Sequence, residues 1–282
     1  MSLDLLLQNG AAALTPAQRK VIDYVLAHEG EAVFLTIPEI AARARVSVAS
    51  VVRAAKSLGF EGFADFQREL RNLFRETLTT SARLKKTEAS GGDGGILRAI
   101  LAGDIENLHE TLRRSDPETF RRFVETLDRA GRIVIIGLRS AHALAVFLAV
   151  ALEFLQREVL LLRPGIGTLW DRIFRLKKTD TLVGIGFPRY TRETVQALEY
   201  CRGRGLVTLA ITDSPISPLA RHADCVLTAA CRMDSFMESF VAPLSLINAV
   251  VTALGLKKRA ITLEGLNALE EFWQRRQVYW EP

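Results

Sequence analysis

Residues 132–145 read RIVIIGLRSAHALA: an apolar run from Ile133 to Ile136, a glycine at 137, an arginine and a serine at 139 and 140, then helically spaced apolar residues. An unbroken β-branched run predicts a strand buried on both faces, and the glycine predicts a tight turn from that strand into a helix. Four more runs of the same character follow, at Val159–Leu162, Thr181–Gly186, Leu206–Thr212 and Cys225–Thr228, alternating with helical segments. That alternation is the pattern of βαβ units, so this part of the chain is predicted to be α/β, a doubly wound parallel sheet of about five strands covered on both faces by helices. Helices are expected at 96–114 and 117–130 before the sheet, and at 233–256 and 263–279 as closing elements.

Upstream of the sheet the pattern is purely helical. Leu14-Thr15-Pro16 is a start signal, with threonine able to cap and proline suited to the first turn, and Val21, Ile22, Val25 and Leu26 follow at helical spacing. Apolar patterning fades between Thr77 and Gly95, where Ser90-Gly91-Gly92-Asp93-Gly94-Gly95 predicts a flexible hinge. The expected organisation is an all-α domain over 1–77, a linker with a connecting helix over 78–116, and the α/β domain over 117–282.

The chain's 282 residues are enough for two domains, and 49% hydrophobic with 24% charged residues is the composition of a folded protein. No apolar run reaches the roughly 18–20 residues needed to span a bilayer, and Asp4 stands where a secretion signal would be basic, so a cytoplasmic, non-membrane protein is expected. Cys201, Cys225 and Cys231 form no CxxC pair, which fits a reducing compartment, and four scattered histidines support no metal site or cofactor. A net charge of +5 is too small by itself to indicate a partner.

The placement of charge is more informative. Ile37, Ile40, Ala41 and Ala44 fit one face of a short helix, Arg45-Val46-Ser47 a tight connection, and Val48, Val51, Val52, Ala55 and Leu58 the buried face of a second helix closed by Gly59. This is helix-turn-helix spacing, with alanines allowing close approach of the two helices. The outer face would present Ala49, Ser50, Arg53 and Lys56 to a major groove, and Arg43, Arg45, Arg53 and Lys56 stand against Glu39 alone over 37–57. Ser47 can cap the second helix and offer its amide end to a phosphate; Arg53 and Lys56 can neutralise phosphates or reach guanine edges. The expected DNA-binding residues are therefore Arg45, Ser47, Ala49, Ser50, Arg53 and Lys56.

In an open doubly wound sheet, ligands lie beyond the carboxyl ends of the strands where the winding reverses. Two loops qualify: Gly137-Leu138-Arg139-Ser140, and Gly186-Phe187-Pro188-Arg189-Tyr190-Thr191, each pairing a glycine, an arginine and a hydroxyl at a helix start. Gly137, Arg139, Ser140, Arg189, Tyr190 and Thr191 are the candidate anion-binding residues. Ser235 and Glu238 are expected to open the closing helix. Helix capping is the plain alternative for Ser140 and Thr191, and Ser217-Pro218 reads as a structural cap.

The segments Pro38-Glu39-Ile40-Ala41, Val46-Ser47-Val48-Ala49-Ser50-Val51-Val52-Arg53 and Ser57-Leu58-Gly59-Phe60-Glu61-Gly62-Phe63 resemble the N-terminal domain of RpiR-type bacterial transcriptional regulators over about residues 3–77. Ala54 departs from the aromatic common there, implying a repacked core, and Ser50 replaces the common threonine while keeping its hydroxyl. Residues from about 117 to 255 resemble the SIS domain that such regulators carry, most clearly at Gly205-Leu206-Val207-Thr208-Leu209-Ala210-Ile211-Thr212-Asp213-Ser214. SIS domains generally carry Ser-x-Ser-Gly-x-Thr in the second loop; Gly186, Pro188 and Arg189 here replace the two serines and the glycine, and only Thr191 is kept. Neutral hydroxyl donors give way to a guanidinium, a fork suited to carboxylate or phosphate. The resemblance also implies Ser235 as a ligand-binding candidate, because SIS pockets are often completed at the closing helix that Ser235 and Glu238 are expected to open.

The resemblance implies a regulator that binds a double-stranded DNA operator as a homodimer or homotetramer and senses an anionic small-molecule effector, a phosphosugar or a sugar acid. Two other readings stand beside it. One is a sugar-phosphate isomerase drawing on His142, Glu153, Glu193 or Glu238, although His142 lies in a helical alanine run that favours a surface role. The other is a SIS interaction module that never touches DNA.

Overall fold

The computed structural model describes residues 14–77, 80, 81, 84, 92–163, 165, 167–231 and 235–280. The chain divides into two compact units, one comprising Met1–Ala89 and Ser235–Met237, the other Ser90–Asp234 and Glu238–Pro282. Most of the expected hinge, and residues 1–13 of the predicted first domain, lie outside the described residues.

The first unit contains α1 (Pro16–Ala27), the single turn α2 (Glu29–Ala32), α3 (Ile37–Ala44), α4 (Val48–Ser57) and α5 (Phe63–Thr77). The start signal Leu14-Thr15-Pro16 works as read. Thr15 caps α1 in a reciprocal box with Gln18, and Thr36 forms the same box with Glu39 at the head of α3. Ile40, Ala41, Val51, Ala54 and Ala55 pack into a core with Val21, Val25, Leu35, Phe66 and Leu70.

The buried face of α4 is rotated from the expected one. Ser50, Val51, Ala54 and Ala55 are buried, whereas Val48 is 47% exposed in the first turn. A ten-residue helix with Val and Ala on several sides gives the period no sharp phase. Packing decides it: the small side chains at 50 and 54 turn inward, and Ser50 tolerates burial because its hydroxyl lies 2.9 Å from the Ser47 hydroxyl.

The second unit opens with α6 (Gly92–Arg114) and α7 (Pro117–Arg129). Gly92-Asp93-Gly94-Gly95 is thus helical rather than hinge, with Asp93 in the first turn where a carboxylate favours the helix dipole. There follow β1 (Arg132–Gly137), α8 (His142–Phe154), β2 (Val159–Leu162), α9 (Leu169–Phe174), β3 (Asp180–Ile185), α10 (Arg192–Gly203), β4 (Val207–Thr212), β5 (Cys225–Thr228), α11 (Val241–Lys257) and α12 (Arg259–Arg276). All strand pairs are parallel, in the order β2-β1-β3-β4-β5.

Alternate residues of each strand serve opposite cores. Ile133, Ile135, Val183, Ile185, Leu209 and Ile211 meet Phe123, Leu127, Leu148, Leu152, Ile247 and Val250 of α7, α8 and α11. Val134, Ile136, Leu182 and Ala210 meet Ile173, Ala197, Leu198 and Cys201 of α9 and α10 on the other face. This two-sided burial is why the strands read as continuous apolar runs. Arg132 bridges the β1 and β3 starts, its Nη2 2.7 Å and Nε 3.2 Å from the Asp180 carboxylate.

The closing helix begins at Val241, not near 233 as the periodicity suggested. Pro243 supplies the reason: a start near 233 would bury it mid-helix, where its ring clashes with a preceding carbonyl, whereas a start at 241 leaves it in the first turn. Ser235 consequently lies in a bend, its hydroxyl accepting from the Met237 amide at 3.1 Å. Among the described residues no single helix is long and apolar enough to cross a membrane.

Candidate functional site

The strand order sets the winding reversal between β1 and β3, which are hydrogen-bonded neighbours. The loops at their carboxyl ends are the two nominated from the sequence, so they emerge about 5 Å apart. In the first, Gly137 is required by packing: a Cβ there would stand 2.8 Å from the Ala141 carbonyl oxygen and 3.0 Å from the Ala145 Cβ. The turn continues as a short 3-10 helix, Arg139–Ala141, which leads into α8.

Ser140 therefore sits inside the turn rather than at a cap position, and makes no capping bond. Arg139 is exposed, at φ 55°. His142, expected on the helix surface, is half-buried, and its Nδ1 lies 2.9 Å from the Gly137 carbonyl oxygen, fastening the head of α8 to the end of β1.

In the second loop Gly186 lies against Leu219, and Phe187 is buried against Phe240 with ring centroids 5.5 Å apart. Arg189 is exposed at φ 68°. Tyr190 does not point its hydroxyl outward; it donates to Asp213 Oδ1 at 2.7 Å, across to the end of β4. Burial first, and the Asp213 carboxylate second, hold the Tyr190 phenol far above its ordinary pKa, so it stays protonated as a donor. Thr191 is the N-cap residue of α10 without a side-chain cap bond; its hydroxyl lies 2.7 Å from that of the buried Thr194.

Sequence reasoning missed Asp213. It was legible only as the residue after a strand, and its pairing with Tyr190 depends on β4 lying beside β3. Ser217 is fully buried and accepts from the Ala220 amide at 3.2 Å, but no helix starts at Pro218: the 3-10 turn Ala220–His222 has Leu219 at its N-cap position.

Arg139 and Arg189 share an uncommon backbone. Among the described residues five non-glycine residues have positive φ, and three are arginines at nominated sites: Arg45, Arg139 and Arg189. The left-handed conformation costs roughly 1–2 kcal/mol outside glycine. Arg189 holds it at the position where the SIS pattern carries glycine, so the loop keeps the glycine's shape while presenting a cation.

In the first unit Arg45, at φ 54°, makes the turn between α3 and α4. Ser47 caps α4, accepting from the Ser50 amide at 3.2 Å. Ala49, Arg53 and Lys56 are exposed as expected, whereas Ser50 is only 6% exposed and its side chain faces the core rather than a groove. Arg43 is exposed but engaged by Glu31 at 2.8 Å and by the Tyr24 hydroxyl at 3.3 Å; Arg45, Arg53 and Lys56 are exposed beside it.

Comparison with known proteins agrees with this architecture. The family model for the helix-turn-helix domain of the rpiR family matches residues 1–76, and that for the SIS domain matches residues 126–253. The sugar isomerase domain of an RpiR transcription factor from Sphaerobacter thermophilus is 34% identical, with a TM-score of 0.59 over 61% of this chain and 97% of that one. The chain belongs to the RpiR family. As an RpiR-family protein it is a transcriptional regulator with helix-turn-helix and SIS domains. The HTH-type transcriptional regulator YbbH of Bacillus subtilis is 26% identical over 83% of this chain and 82% of its own length. The NanR protein of Vibrio vulnificus, solved in complex with ManNAc-6P, is similar in fold over 96% of this chain and 97% of that one, at 21% identity and a TM-score of 0.64.

Proposed function

We propose that this regulator senses an anionic sugar derivative, a phosphosugar or a sugar acid, at the β1/β3 switch point. The observation that carries the reading is the pair of exposed arginines, Arg139 and Arg189, on left-handed turns at the carboxyl ends of adjacent strands. Ser140 and Thr191 stand beside them at the starts of α8 and α10, where backbone amides also favour an anion. Two guanidinium forks can pair with phosphate or carboxylate, and the ManNAc-6P bound by NanR supports the phosphorylated option.

The effector acts on a cytoplasmic homodimer or homotetramer. Paired α4 helices read the half-sites of a double-stranded operator, with Arg53 and Lys56 on the DNA and the Ser47-capped amide end of α4 at a phosphate. Such coupling requires the effector to bind two arrangements of the protein with different affinity. The SIS domain serves as a sensor and not as an isomerase.

A thermal-shift screen of phosphosugars and sugar acids tests the pocket: a ligand that raises the Tm of the wild type must do so far less for Arg139→Ala and Arg189→Ala, and equal shifts in all three proteins sink the assignment. Gel-shift binding to the adjacent promoter, weakened by Arg53→Ala, tests the DNA face. Turnover of a phosphosugar that Glu238→Gln abolishes would overturn the non-catalytic reading.

A further inference from the structure

Arg189 holds its left-handed conformation, at φ 68°, between two constrained neighbours. On one side Pro188 has a fixed φ and no amide to rearrange. On the other, Tyr190 is anchored twice: its ring packs on the core cluster that contains Leu198 and Leu219, and its hydroxyl donates to Asp213 at 2.7 Å. Asp213 is itself placed by the end of β4, where the buried Thr212 hydroxyl lies 3.1 Å from its carboxylate and 3.0 Å from the buried Ser217 hydroxyl. Beyond Tyr190 the chain is fixed again by the Thr191–Thr194 contact at the head of α10.

We infer that Tyr190 and Asp213 are positioning residues for the anion site: their hydrogen bond holds Arg189 in the left-handed turn that aims its guanidinium at the switch point. Anion affinity then depends on the Tyr190 hydroxyl, although that hydroxyl is spent on Asp213 and donates nothing to the anion. The inference rests on the anion-site reading above and adds to it the device that replaces glycine in this loop. Phosphate and carboxylate are held by the same guanidinium chemistry, so inorganic phosphate and acetate serve as separate probes of the head group.

The test uses the full chain as wild type, Tyr190→Phe, Asp213→Asn, Arg189→Gly and the double variant Tyr190→Phe/Arg189→Gly. Two measurements are made: calorimetric titration with inorganic phosphate and with acetate, and amide hydrogen exchange of residues 187–192 without ligand. Tyr190→Phe is expected to weaken binding of the preferred probe on the order of tenfold, the scale of one lost hydrogen bond. The same change is expected to cause no further loss once Arg189 is glycine. Exchange at Arg189 and Tyr190 is expected to speed up in Tyr190→Phe and Asp213→Asn.

A merely structural Tyr190 would instead weaken binding equally in both backgrounds, and that additivity overturns the inference. Unchanged exchange in both hydroxyl-pair variants overturns it as well. If the wild type binds neither probe while exchange rises as expected, the anion-site reading fails and the latch on Arg189 stands.

Discussion

Replacing Arg189 with glycine separates what this residue costs the fold from what it supplies to the site. At φ 68° the arginine pays a left-handed penalty of roughly 1–2 kcal/mol that glycine does not. Glycine returns about 0.4–1 kcal/mol of that to the unfolded chain as extra backbone freedom. The net change for Arg189→Gly is therefore between about zero and 1.6 kcal/mol in favour of the folded state. For a unit of this size that is a Tm rise of up to about 6 °C, at roughly 2–4 °C per kcal/mol. Arg189→Ala keeps the left-handed penalty, so its Tm stays near that of the wild type.

Binding moves the other way. Losing hydrogen bonds to a charged group costs about 1.5–3 kcal/mol, a loss of roughly 10- to 150-fold in effector affinity for both variants. The assay is thermal unfolding with and without a saturating phosphosugar, backed by a titration for Kd. A ligand-free Arg189→Gly protein melting more than about 2 °C below wild type would refute the strain argument. Undiminished effector binding would refute the role of the guanidinium.

Three further outcomes are expected. Gly137→Ala forces a methyl to within 2.8 Å of the Ala141 carbonyl oxygen, a backbone atom that cannot swing away, and should destabilise by about 1–3 kcal/mol, read as a lower denaturant midpoint at unchanged slope. Asp180→Ala strands Arg132 and a Lys177 amide that Asp180 accepts at 2.8 Å; because the Arg132 side chain is 28% exposed, the cost should be about 2–3 kcal/mol, below that of a fully buried pair, by the same denaturation measurement. Asp116, the cap of α7, has its carboxyl held below the usual range by the Thr119 hydroxyl and then the Thr119 amide. Its charged form therefore contributes stability above the unfolded value of 3.8 and loses it as pH falls through the lower folded value. The Tm advantage of wild type over Asp116→Asn should shrink on acidification across that window, and an advantage that persists at the acid end would contradict it.

How much of this could be read from residues alone varied with the kind of contact. The strands were legible to within a residue at their ends because burial on both faces writes them as Ile133–Ile136 or Leu206–Thr212, a pattern no amphipathic helix produces. The two loops were legible for the same reason, as glycine and arginine immediately after such runs. The phase of α4 was not, since Ser50 and Val52 compete for burial and only the neighbouring helices decide between them. The start of α11 is not legible in the apolar period, because the boundary is set by Pro243, which fits only the first turn. Left-handed arginines carry no compositional mark at all, and the Tyr190–Asp213 bond spans 23 residues through a strand order that local patterning does not contain.

One junction in the second unit has a mechanical consequence. The connecting helix α6 has as its buried residues Asn107 and Thr111, both in its C-terminal half. Thr111 Oγ1 accepts from the Ala230 amide at 2.8 Å, and Asp104 accepts from Ser239, so this half is riveted to the segment between β5 and α11. The turns from Gly92 to Leu101 overhang this mounting as a cantilever. The ten residues of the overhang, at 1.5 Å each, make an arm of about 15 Å, and a tilt of about 5° at the mounting swings its tip by about 1.3 Å. A shift of Ala230 or Ser239 that tilts the mounting is thereby carried along a stiff arm as far as Gly92.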